Sequence, residues 1–113
     1  MLVMNRFVVT EDGAGAFTER AHAALAALAG RPGYRHGQLT RSLDEPDHWC
    51  LVTEWESVGT YRRALGAFDV KVYATPLLAE SLDEPSAYEP LASAEPGGVV
   101  AVSTSDRATD PSR

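Results

Sequence analysis

Apolar residues along this chain come first in a near-continuous run, then at every third or fourth position, then at every second, and each change of spacing marks a new element. Leu2 to Val9 is rich in β-branched and aromatic types around the polar pair Asn5-Arg6, which predicts a first strand covered on both faces. Thr10-Glu11-Asp12-Gly13 is turn chemistry. After it, Phe17, Ala21, Leu25 and Leu28 fall at helical spacing, predicting an amphipathic helix that ends at Gly30 and Pro32.

Gly33 to Leu43 alternates, and His48 to Trp55 is a second β-rich run; the turn Asp44-Glu45-Pro46-Asp47 between them makes the pair a hairpin. By the period of two, Trp49, Leu51, Thr53 and Trp55 share one face, read as helix-covered, and His48, Cys50, Val52 and Glu54 share the other. Ser57 is a good N-cap. Val58, Tyr61, Leu65, Phe68 and Val72 then form one apolar stripe, predicting a single helix, and Thr75-Pro76 starts a short helical segment through Leu82. Asp83-Glu84-Pro85 turns the chain, and Ala87 to Leu91 is a last strand.

The order β-α-β-β-α-β predicts an α+β, ferredoxin-like antiparallel sheet with helices on one face. The bare face, with Cys50 and Val52 on it, calls for a partner sheet, which predicts a face-to-face homodimer. Ser-Leu-Asp-Glu-Pro occurs at 42–46 and again at 81–85, each time before a strand, and reads as shared turn chemistry. Residues 1–91 form one domain. From 92 to 113 the chain is mostly Ser, Thr, Asp, Gly, Pro and Arg and is expected to lack order, except that Val99 to Val102 can pair on a sheet edge.

Composition narrows the partners. A net charge of -6 opposes a nucleic-acid or anionic membrane partner, since either needs clustered Lys and Arg. A single cysteine, Cys50, allows no internal disulfide, and neither a signal segment nor a spanning apolar run is visible, so a cytoplasmic protein is expected. His48 and Cys50 share a strand face without further ligands, so no metal is expected. No phosphate loop, nucleophile elbow or Cys-x-x-Cys motif occurs.

Asn5-Arg6-Phe7, Pro32-Gly33-Tyr34, Thr53-Glu54-Trp55-Glu56-Ser57, Tyr61-Arg62-Arg63-Ala64-Leu65 and Asp69-Val70-Lys71 together resemble the antibiotic biosynthesis monooxygenase-like family of dimeric α/β barrels, in a member of actinobacterial type. The resemblance covers residues 2 to about 91. It implies a cofactor-independent monooxygenase that deprotonates an aromatic or polyketide-type small molecule and lets the anion react with dioxygen. The alternatives on the same fold are a non-catalytic barrel binding a hydrophobic metabolite and an isomerase or cyclase. Trp55 matches the family's strand-end tryptophan and Tyr61 its helix tyrosine, while Leu51 stands where the oxygenases often carry Asn. The haem-degrading branch shares Asn5 but has a tryptophan where this chain has Ala64 and an iron-ligating histidine where it has Ala74, beside Tyr73, so no cofactor is expected.

The candidate catalytic residues are therefore Trp55, Tyr61, Arg62 and His36, and the candidate substrate contacts are Asn5, Phe7, Leu51, Leu65 and Phe68, with substrate held between the sheet and the second helix. Each has a plainer reading as well. Trp55 and Tyr61 fit core packing; Arg62 and Arg63 fit a solvated helix face. Asn5 either holds backbone across the sheet or faces a cavity. His36 lies across from Glu54 or Trp55, either as a half-exposed structural residue or as a base paired with Glu54. Asp69 and Lys71 fit surface or dimer-contact roles, and His22 faces solvent.

Overall fold

The computed structural model describes residues 1–105 and residue 107. Its main sheet has the order β2-β3-β1-β4, with β1 spanning Leu2–Val8, β2 Tyr34–Arg41, β3 His48–Trp55 and β4 Ala87–Tyr88. Every pairing is antiparallel. One long helix, α1 (Ala14–Ala29), and three shorter ones, α2 (Val58–Leu65), α3 (Phe68–Tyr73) and α4 (Thr75–Leu78), supply the helical layer. This is the expected ferredoxin-like arrangement.

The period of two sorts the strands as the pattern predicts. Val3, Phe7, Leu51, Thr53 and Trp55 are buried under the helices, where they meet Phe17, Ala21, Ala24 and Leu28 of α1. Phe17 packs edge-on against both Phe7 and Trp49, at centroid distances of 5.0 and 5.4 Å. Leu2, Met4, Arg6, Cys50, Val52 and Glu54 lie on the opposite face and are only half-buried, so β1 is covered on one face of the chain rather than on both.

The second helix departs from expectation. The stripe Val58, Tyr61, Leu65, Phe68, Val72 presumes one unbroken helix, but the chain breaks between α2 and α3: Gly66 caps α2 and Ala67 adopts extended backbone (φ -72°, ψ 144°). That one extended residue resets the helical phase. Val70, Ala74 and Leu77 become the buried positions, while Phe68 is 79% exposed and Val72 is exposed. Small side chains at Ala64 and Ala74, both buried, complete this part of the core.

The last strand is shorter than its sequence pattern: only Ala87 and Tyr88 pair, with Val3 and Leu2. Pro90 follows directly and has no N–H to continue a ladder. Val99 to Val102 does not join the edge of the main sheet. Instead β5 (Ala92–Ser93) pairs with β6 (Ala101–Val102) in a separate two-stranded ribbon that turns at Gly97, whose φ is +71°. The rest of the expected tail, residue 106 and residues 108–113, lies outside the described residues.

Among the described residues no helix is long and apolar enough to cross a membrane.

Candidate functional site

A cleft of about 650 Å³ opens where β1 meets the broken helical layer. Asn5 of β1 forms one wall, and Tyr61 and Leu65 of α2 face it one helical turn apart. Lys71 of α3 and Thr75, Leu78 and Ala79 of the α4 region complete the lining. Its volume lies within the roughly 300–1,000 Å³ of small-molecule sites.

Local sequence explains why these elements stand as they do. Ser57 starts α2 with a reciprocal capping pair: its Oγ accepts from the Thr60 N–H at 3.1 Å, and its own N–H donates to Thr60 Oγ1 at 3.2 Å. Two turns of helix then carry Tyr61 and Leu65 toward β1. The break at Ala67 swings α3 so that Lys71 and Thr75 reach the same cleft.

Asn5 sits between Val3 and Phe7 on the helix-covered face of β1, opposite Leu51. Among the described residues its carboxamide bonds no backbone, so it faces the cavity rather than holding the sheet together. Burial pushes the Tyr61 hydroxyl above the ordinary tyrosine range, so at neutral pH it is a neutral donor. Asn5, Tyr61 and Lys71 thus offer hydrogen bonds and a positive charge over an apolar floor of Leu65, Leu78 and Ala79, a combination able to bind a flat apolar molecule bearing an oxyanion. Among the described residues no carboxylate or imidazole lines the cleft.

Trp55 lies behind this wall. It is fully buried, and its indole N–H donates to Thr53 Oγ1 at 2.8 Å. Its ring stands 5.4 Å, centre to centre, from Tyr61 on one side and Tyr34 on the other. It therefore positions Tyr61 instead of contacting the cavity. Leu51, opposite Asn5, and Phe7, packed on Phe17, are likewise buried in the core and are not part of the cleft lining.

The remaining candidates are elsewhere. His36 does pair with Glu54, after a register irregularity at Tyr34, but the pairing puts it on the open face of the sheet, exposed and across the sheet from Asn5 and Tyr61. Arg62 is exposed in the last turn of α2, where with Arg63 it complements the helix dipole. Phe68 points away from the cleft because of the phase reset at Ala67.

The residue pattern along the chain marks Asn5, Tyr61 and Leu65 for one site; Lys71, Thr75 and Leu78 join them only in the folded chain. A signal was present: these three follow one another at spacings of four and three, a second helical stripe out of phase with the first. A separate hollow of about 390 Å³ at the hairpin end contains Arg6, His48, Glu45 and Glu84, but these pair among themselves: Arg6 with Glu84 at 3.9 Å and His48 with Glu45 at 3.1 Å.

Solved structures share this architecture. SnoaB, a cofactor-independent oxygenase from Streptomyces nogalater, is 27% identical, with a TM-score of 0.63 over 80% of this chain and 94% of its own. Rv0793 from Mycobacterium tuberculosis is 20% identical, with a TM-score of 0.61 over 96% and 97%. A putative antibiotic biosynthesis monooxygenase from Nitrosomonas europaea is 17% identical, with a TM-score of 0.63 over 80% and 97%. Comparison with curated proteins gives no match. The sequence model of antibiotic biosynthesis monooxygenases matches residues 1–74, and the chain belongs to that family.

Proposed function

We propose that this chain is a cofactor-independent oxygenase that takes an aromatic or polyketide-type small molecule into the Asn5–Tyr61 cleft. The observation that carries the reading is the convergence of Asn5, Tyr61 and Leu65, drawn from β1 and α2, on one apolar cavity of suitable size. Membership of the family and likeness to a cofactor-independent oxygenase support it. In this scheme the apolar floor holds the ring system and excludes water, and Asn5 and the protonated Tyr61 donate to the oxygen on which charge develops as the substrate anion reacts with dioxygen. Trp55, held by Thr53, keeps the Tyr61 ring in place. A second copy of the chain covers the open face around Met4, Cys50 and Val52, so the working unit is a homodimer.

Oxygen consumption by chelator-treated protein, measured against anthrone-like and naphthol-like phenols, tests the reading. Metal-independent uptake that falls about 100-fold in both Tyr61→Phe and Asn5→Ala is expected, the scale of losing one oxyanion donor. Uptake unaffected by either change would overturn it. A second reading, a barrel that binds such a molecule without changing it, draws on Leu51: this apolar residue is buried where oxygenases often carry Asn. Compounds that bind in the cleft and are recovered unchanged under air would favour it.

A further inference from the structure

We infer that Lys71 makes the cleft selective for the anionic form of its ligand, a phenolate or carboxylate carried on a flat apolar ring system. The inference rests on reading this cleft as the substrate site.

Lys71 shares the cavity with Asn5 and Tyr61 and has no ion pair among the described residues. Two other cations are engaged, Arg6 with Glu84 and Arg20 with Glu80 in a two-pronged contact; what sets Lys71 apart from the unpaired arginines is its place in the lining of the cleft. The residues three and four positions from Lys71 are Ala67, Phe68, Ala74 and Thr75, none of them acidic. The nearest carboxylate in sequence, Asp69, lines a different groove with Ala23, Ala27 and Tyr73 of α1 and α3. The ammonium therefore remains available to a ligand.

Two further observations give that availability a purpose. The chain carries a net charge of -6, so its overall field repels anions and any attraction must be local. Among the described residues no carboxylate or imidazole lines the cleft to take a proton from a phenol. A ligand must then enter as its anion or release its proton to water. A cation in the cleft favours the charged form in both cases by lowering the ligand's own pKa. Donors from Tyr61 and Asn5 act in the same direction.

Calorimetric titration with 2-naphthoate and its near-isosteric neutral counterpart 2-naphthamide tests this. The native protein is expected to prefer naphthoate about fivefold, the scale of a partly exposed ion pair. Lys71→Gln should abolish that preference, and Lys71→Arg should retain it. A preference that persists in Lys71→Gln, or is absent from the native protein, would overturn the role of Lys71. Ala79→Trp addresses the cleft separately: Ala79 is an exposed lining residue, so the bulky ring obstructs the cavity without entering the core. Loss of both probes in that variant supports the cleft. Unchanged binding of both, or binding of neither to the native protein, would overturn the cleft as the site and the inference with it.

Discussion

The indole N–H of Trp55 donates to the hydroxyl of Thr53 at 2.8 Å, between two buried residues on the same face of β3. A strand normally aims such neighbours side by side without contact. Here the bond satisfies the only polar atom of the tryptophan side chain, fixes its ring, and through the ring sets where Tyr61 stands.

Removing either partner leaves the other without its bond. Thr53→Val is expected to cost about 1–3 kcal/mol, the penalty of an orphaned buried donor. Trp55→Phe should cost about 2 kcal/mol, since it also leaves a small void. In urea unfolding the double variant should cost less than the two together, by about 1 kcal/mol. Strict additivity would show that the bond does not couple them.

Tyr34 and Tyr61 both have hydroxyls pushed above the ordinary tyrosine value by burial. A raised folded-state value means that between the unfolded and folded values the native state holds more protons than the unfolded one. The stability this confers is complete below pH 10 and is lost as pH rises through the folded-state values. Unfolding free energy measured across the alkaline range should therefore fall, and Tyr61→Phe should fall less steeply than the native protein. Equal slopes would contradict the burial of this hydroxyl.

The capping pair at Ser57 positions a whole wall of the cleft. Ser57→Ala is expected to destabilise the protein by about 1 kcal/mol, and Ser57→Gly by only a few tenths. Because α2 carries Tyr61 and Leu65, ligand affinity should weaken along with stability in the alanine variant. Thermal melts and titrations on the same samples would separate the two effects.

Positions 68 and 70 provide a direct check on the phase reset. Phe68→Ser should change stability by no more than about 0.5 kcal/mol, as at an ordinary surface site. Val70→Ala, at a fully buried position, should cost about 2 kcal/mol. The reverse order in chemical denaturation would mean that α2 and α3 form one continuous helix, as the apolar stripe alone predicts.

Strand faces and helix starts were legible in the chain because they depend on neighbours within a few residues. The alternation at Trp49, Leu51, Thr53 and Trp55 identified the covered face of β3, Ser57 marked the start of α2, and the hairpin turn left His36 opposite Glu54 or Trp55, of which the register has Glu54. What failed was extrapolation across a break. One extended residue, Ala67, moved Phe68 out of the core and Val70 into it, and the one trace of that reset in the spacing is the separate stripe of Lys71, Thr75 and Leu78.

The candidate site divides along the same line. Residue type and period placed Asn5 on the strand and Tyr61 and Leu65 along one side of the helix. Only packing between elements far apart in the chain could bring these to a common cavity with Lys71, leave His36 on the far side of the sheet and set Trp55 behind Tyr61. Local spacing fixes the direction of a side chain relative to its own element. Where two elements meet is decided by the core between them, here by small residues such as Ala21, Ala24, Ala64 and Ala74 that let helices and sheet approach closely.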